Sequence, residues 1–211
     1  MTPVLALLIA ALVSGALTIL ADYRGRFGLV YVFKPLTMAA VIAVAVIGHA
    51  REGGAYGRLV LAGLIVSLAG DIFLMLKTKR FMEGLACFLV AHLSYGAAFM
   101  SGASFRPSVW ILAPLAAFAA VVYSRLRPRL GSMKVPVAVY VLVIAAMAGL
   151  AANRYFQVGR MNALSALAGA ELFLVSDTSL AVNRFIRRRR FGQLLTLGTY
   201  FAAQALIALS I

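Results

Sequence analysis

Eight apolar runs, each close to the length of a bilayer crossing, leave this chain little choice of fold. They cover roughly residues 4–20, 29–48, 58–76, 81–101, 108–124, 135–152, 161–182 and 192–211. A hydrocarbon core about 30 Å thick is crossed by about 20 helical residues. Backbone groups in lipid must find partners inside a helix or a closed barrel, and runs this continuous lack the alternation of barrel strands. Charge clusters separate the runs, and 64% of the 211 residues are hydrophobic against 12% charged, which excludes an ordinary soluble domain. The expected fold is an all-α integral membrane protein, a bundle of about eight transmembrane helices. Loops of ten residues or fewer hold no separate soluble domain, so residues 1–211 read as a single transmembrane helical domain.

The first run reads as a retained helix rather than a cleaved signal, because no basic residue precedes Arg24. The lone Cys87 has no partner for an intrachain disulfide and reads as a small core residue.

The basic residues set the expected orientation. Loops one, three, five and seven carry 14 Lys and Arg, among them Lys77, Lys79 and the run Arg187 to Arg190, while the even loops carry 5. The positive-inside rule puts the odd loops in the cytoplasm and both termini outside. The same accounting absorbs the net charge of +14: basic loops at helix ends suit insertion and anionic membrane lipids, so no nucleic-acid partner is expected. The expected location is a bacterial cytoplasmic (inner) membrane.

Ionisable groups inside spans are what insertion does not explain. Each is costly, faces the bundle interior as a rule, and marks function by default. Asp71 lies six residues before Lys77, and Asp177 six before Asn183. A helical rise of 1.5 Å per residue predicts both carboxylates about 9 Å inside the same boundary. Lys34, Tyr140 and Tyr200 fall in the same half, with His92 and Gln204 nearer the midplane. On the fourth span His92, Tyr95 and Phe99 share a face, and on the eighth Gln193, Thr196, Tyr200 and Gln204 form a polar stripe. Asp177 and Arg184, seven apart, also share a face, which sets a cation near a lipid phosphate. The pattern predicts a polar pocket opening to one leaflet, walled by Leu, Phe and Met. Structural readings stand beside this one: an Asp71–Lys34 ion pair, interfacial polarity at Asp177, and tyrosines that only pack. Glu171, about 120° around the helix from Asp177, reads as a packing or hydrogen-bonding group.

An internal echo suggests two halves of four helices. Asp71 in D-I-F-L and Asp177 in D-T-S-L are each followed by Arg-Phe, and Lys34-Pro35 has a loose counterpart in Lys134-Val135-Pro136. Parallel repeats would bring both acids to equivalent places near a shared interface.

The segments KPLTM (34–38), GDIFLM (70–75), GLACFLVAHLSY (84–95) and SDTSLAVNRF (176–185) resemble the signature segments of the YhhN family of membrane proteins, which includes lysoplasmalogenase. The resemblance implies eight helices and hydrolysis of the vinyl ether bond of a lysolipid substrate, releasing a fatty aldehyde and a glycerophospho-head group. By motif, Asp71 and Asp177 correspond to the family's acidic residues, with Lys34, His92, Asn183 and Arg184 in its other polar segments. Tyr95, Tyr140, Tyr200 and Gln204 complete the expected substrate-binding set. The chemistry suits two carboxylates: protonation of the vinyl β-carbon gives an oxocarbenium ion, which a positioned water then attacks. If Lys34 holds one aspartate ionised, the other is the proton donor, which points to Asp177. No metal and no other cofactor is called for. A transporter of small molecules or lipids, or a non-catalytic lipid-binding protein, would also hold ionisable groups in a bundle. A transporter is expected to open to both faces, whereas these polar groups crowd toward one.

Overall fold

The computed structural model describes residues 2–76, 80–106, 108–187 and 190–211, the side chain of Arg190 excepted. Lys77, Lys79, Arg188 and Arg189, counted above among the basic loops, lie outside the described residues. Among the described residues eight α-helices follow in order: α1 (Pro3–Tyr23), α2 (Phe27–Glu52), α3 (Gly54–Met75), α4 (Phe81–Met100), α5 (Val109–Leu126), α6 (Lys134–Val158), α7 (Met161–Phe185) and α8 (Arg190–Ala208). Each is long and apolar enough to cross a membrane. The protein is a multi-pass membrane protein.

Local chemistry sets the helix ends. Thr2 caps α1 through its side-chain oxygen, which accepts the Leu5 N–H at 3.4 Å, and Pro3 occupies the first turn, where a missing N–H costs nothing. Gly159 stops α6 at φ 63, a left-handed conformation that other residues resist. Gly53, at φ 67, is the sole residue between α2 and α3, so Arg51 and Glu52, which lie between the expected spans, are helical. Asp22, also read as a loop residue, closes the last turn of α1.

Helices in lipid gain little from burying one another's apolar faces, so close approach and cross-helix hydrogen bonds carry the packing. The tightest neighbours are α3 with α4, α7 with α8 and α1 with α2. At the first contact Gly63 lies under the Tyr95 ring and Gly84 faces Leu74; at the second, a Cβ at Gly169 would come within 2.9 Å of the Ala203 carbonyl oxygen. Ser176 and Ser179 of α7 donate to the Thr196 and Gly192 carbonyls of α8 at 3.0 and 2.9 Å, and Thr37 of α2 donates to Ser14 of α1 at 2.9 Å.

Between the two sets of four helices, α2 packs on α8 and α4 packs on α6. These two pairings exchange when α1–α4 and α5–α8 are interchanged. The outer helices break the correspondence: α1 packs on α8, while α5 packs on α6 and α7 and is the helix most exposed on its surface.

Candidate active site

The site gathers at the end of the bundle that carries Arg24, Arg26, Arg80, Arg125, Arg184 and Arg187. A cavity of about 500 Å³ opens there, lined by side chains of α1, α2, α3, α4, α7 and α8, and both aspartates face it.

Asp71 is held on both oxygens. Lys34 Nζ lies 2.8 Å from Oδ1, and the Tyr200 hydroxyl donates to Oδ2 at 2.6 Å. The Asp71 side chain is 1% exposed and the Lys34 side chain 10%, so the charged pair is largely withdrawn from solvent. Lys34 Nζ also sits 5.7 Å from the centre of the Tyr200 ring, which shares in balancing its charge.

Asp177 has uncharged company. The Tyr140 hydroxyl donates to its Oδ2, and His92 Nε2 approaches the same oxygen at 3.7 Å, beyond hydrogen-bonding reach. His92 is fully buried and packs edge-on against Phe173 at 4.6 Å and Tyr140 at 5.4 Å. Neither of its ring nitrogens has a hydrogen-bond partner among the described residues.

The two shells correspond element by element. Asp71 on α3 meets α2 through Lys34 and α8 through Tyr200; Asp177 on α7 meets α6 through Tyr140 and α4 through His92. Interchanging the halves therefore maps Lys34 onto Tyr140 and Tyr200 onto His92. The counterpart of Lys34 suggested by sequence, Lys134, is instead an exposed residue at the start of α6. Pro136 drew that alignment, but the residue that reaches the aspartate is the next tyrosine along the helix.

Depth is less uniform than expected. Asp71 lies four residues from the end of α3 and Asp177 eight from the end of α7. At 1.5 Å per residue these are about 6 and 12 Å. Asn183, the boundary marker used for Asp177, does not coincide with the helix end, since α7 continues through Asn183 and Arg184 to Phe185.

Asn183 and Arg184 line the mouth of the cavity, and the Arg184 guanidinium stacks 4.8 Å over the Phe81 ring. Tyr95 and Gln204 are elsewhere. Both are fully buried, the Tyr95 hydroxyl donates to Gln204 Oε1 at 2.7 Å, and neither lines the cavity. With Leu64, Phe99 and Phe173, also fully buried, they form a packed layer deeper in the bundle. Their facial periodicity marked an interior position, which a pocket wall and a packed layer share. Glu171 corrects its expected role: it is exposed on the outer surface of α7, without hydrogen bond or ion pair among the described residues, because the helical period turns it about 120° away from the face that carries Asp177.

Asp22, Ser176 and Arg187 line the cavity and were not singled out from sequence. Ser176 adjoins Asp177, and Arg187 belongs to the basic run; those were the available signals. Gln193 and Thr196, read as part of the α8 stripe, line it as well.

A second, apolar slot lies across α7 from the cavity. Its walls are Phe118 and Val122 of α5, Val141 and Ile144 of α6, and Leu174 and Ala181 of α7, with Phe81, Leu85 and Phe88 of α4 at its edge. Cavity and slot share Leu74, Phe81, Phe88, Asp177 and Leu180, and among these Asp177 is the ionisable residue. On α7, Ser176, Asn183 and Arg184 face the cavity, Leu174, Thr178, Ala181 and Phe185 face the slot, and Asp177 and Leu180 line both. Asp177 stands at the border of the two faces.

This arrangement can give and take a proton at a boundary between a wet, basic chamber and a dry, hydrocarbon-like one. No solved structure matches the chain. It is 32% identical to the uncharacterized membrane protein YhhN of Escherichia coli O157:H7 over 207 residues, covering 96% of this chain and 97% of that protein. It is 34% identical to human lysoplasmalogenase TMEM86A over 157 residues (72% of this chain, 64% of that protein), and 38% identical to rat lysoplasmalogenase TMEM86B over 160 residues (75% and 63%). The family model of the YhhN family matches residues 29–211, a span that holds both aspartates and every partner described for them, and the chain belongs to the YhhN family.

Proposed function

We propose that the protein is a membrane-embedded hydrolase of lysoplasmalogen-type lysolipids, with Asp177 as proton donor and Asp71 as the ionised partner that directs water. The observation that carries the reading is the unequal company of two equivalent aspartates: an ammonium against Asp71, a phenol and an imidazole against Asp177. Similarity to proteins named lysoplasmalogenases supplies the bond class.

A lysoplasmalogen has a charged head, a glycerol, and a tail joined through a vinyl ether. The basic mouth at Arg184 and Arg187 suits the head-group phosphate, and Asp177, at the border of polar cavity and apolar slot, suits the bond where head and tail meet. Tyr140 occupies Oδ2 of Asp177, leaving Oδ1 to carry the proton. Transfer of that proton to the vinyl β-carbon leaves positive charge shared between the α-carbon and the ether oxygen. The Asp71 carboxylate, across the cavity, stabilises that charge and takes a proton from the water that adds to the α-carbon. The resulting hemiacetal passes its hydroxyl proton to the ether oxygen as the C–O bond breaks, giving aldehyde and glycerol hydroxyl. Cavity water returns the proton from Asp71 to Asp177, so the cycle consumes one water and no net proton. The reading includes the orientation expected from sequence, with the basic end in the cytoplasm, the chain termini outside and a bacterial inner membrane as the location.

All lining residues of the cavity belong to the basic end, and the layer of Leu64, Tyr95, Phe99 and Phe173 fills the bundle beyond it. This favours a one-sided reaction chamber over a path across the membrane. The test is aldehyde release by the purified protein from alkenyl lysophosphatidylethanolamine and lysophosphatidylcholine, followed by mass spectrometry. Aldehyde appearing with both the water-derived oxygen label and the intact glycerophospho-head group is expected; none from either lipid would overturn the reading.

A further inference from the structure

We propose that the apolar slot among α4, α5, α6 and α7 is the binding site for the hydrocarbon tail of the lysolipid, which crosses between α4 and α7 past Asp177 to reach it. The proposal rests on the hydrolase reading for the identity of its ligand and goes beyond it in assigning a second binding site.

A single tail needs a passage of apolar side chains continuous with the chamber that holds its head. The slot meets both conditions. Its wall residues are aliphatic or aromatic apart from Tyr140, Asp177 and Thr178, and it shares Leu74, Phe81, Phe88 and Leu180 with the cavity, so these four apolar residues flank the crossing. Thr178 turns its hydroxyl back to the Leu174 carbonyl at 2.7 Å, which leaves its methyl as the group available to a tail. At the basic end, Phe81 of α4 and Phe185 of α7 meet edge to face at 5.9 Å and bar the crossing from the basic surface. Deeper in, Leu115 packs into the space over Gly149, 3.2 Å from where a Cβ would stand, and closes the groove between α5 and α6 above Ile144. The remaining wall is Phe118 and Val122, on the helix with the least of its surface covered by the rest of the protein. A tail seated there exchanges bilayer hydrocarbon for protein hydrocarbon, and its methylenes stay out of water.

The alternative course for the tail, along the cavity itself, would lay it against Lys34, Asp71, Gln193 and Thr196. Methylenes laid there would cover a charged pair and the Gln193 amide and displace whatever water solvates them, with no apolar surface gained in return. The tail is thereby directed across α7 and not along α8.

Two measurements test the site separately from the reaction. The full-length protein in phosphatidylethanolamine/phosphatidylglycerol nanodiscs is irradiated with a lysophosphatidylethanolamine carrying a diazirine midway along its tail. Adducts concentrated on Phe118, Val122 and Ile144 are expected; adducts on α2 and α8 lining residues, or spread evenly over outer helix surfaces, would overturn the proposal. This readout needs no turnover, so it decides the tail site even if the hydrolase reading fails. In the second measurement, Val122→Phe narrows the slot from α5, a helix that carries neither aspartate nor any of their partners. Turnover of a hexadecenyl lysolipid is expected to fall at least about tenfold while a butenyl analogue, too short to pass the crossing, keeps its rate. Equal loss for both, or no change for either, counts against the slot even while aldehyde release by the unsubstituted protein upholds the hydrolase.

Discussion

Lys34 on α2 and Tyr140 on α6 stand in equivalent places beside the two aspartates, one bringing an ammonium to Asp71 and the other a phenol to Asp177. The protein's two halves build the same carboxylate shell and then charge only one of them. That single difference assigns the proton, and it is directly testable. Tyr140→Lys should place a cation against Asp177, hold it ionised and lower kcat by at least about 10²-fold, the lower range for losing a general acid. Undiminished aldehyde release in that variant would rule out a protonated Asp177.

Asp177→Asn should cause a loss of the same size with a thermal midpoint near that of the unsubstituted protein, because the amide oxygen can still accept from Tyr140 and no Lys or Arg is paired with Asp177 among the described residues. Asp71→Asn should match it in activity and differ in stability. Scanning unfolding of both variants in detergent, beside the aldehyde assay, separates the two roles; full activity in both would remove the aspartates from the mechanism.

Breaking the Lys34–Asp71 pair strands a buried charge. Lys34→Met or Asp71→Asn should destabilise the fold by about 3–5 kcal/mol, while the double variant Lys34→Met/Asp71→Leu, which removes both charges, should recover most of that loss without recovering turnover. A double variant as unstable as either single one would show that the pair itself, and not the stranded charge, holds α2 to α3.

Tyr95 and Gln204 form a hydrogen bond of 2.7 Å within the packed layer beyond the cavity. Tyr95→Phe leaves Gln204 Oε1 buried without its donor, at a cost of about 1–3 kcal/mol in stability. Its kcat/KM, measured below the lowered midpoint, should change by less than about tenfold, the behaviour of a residue that touches no substrate. A larger fall would draw the layer into the site.

Arg184 stands at the cavity mouth over Phe81. Arg184→Gln should raise KM about tenfold, equivalent to about 1.4 kcal/mol, with kcat unchanged. With an alkenylglycerol that lacks the phosphate, the same variant should show no change in KM; a change there would assign Arg184 to the fold and not to the head group.

Much of the architecture was legible because lipid forgives so little. A backbone in hydrocarbon must be helical, and a charge in hydrocarbon must be justified, so eight apolar runs and the few ionisable residues within them point to a helical bundle with Lys34, Asp71 and Asp177 inside it. The sequence by itself determined the membrane fold, the two carboxylates and the basic end to which they belong. It could not rank interior positions, because a side chain facing a chamber and one sealed in a packed layer obey the same helical period; Tyr95 and Gln204 were grouped with Tyr200 for that reason.

Only the tertiary structure decided which groups meet. The pairing of Lys34 with Asp71 and of Tyr140 with Asp177 depends on α2 lying against α3 and α6 against α7 at a particular rotation. The border position of Asp177 depends on four helices meeting on one side of α7 and the cavity opening on the other. One-dimensional periodicity carries the direction of a side chain around its own helix, but it carries no information about what stands opposite.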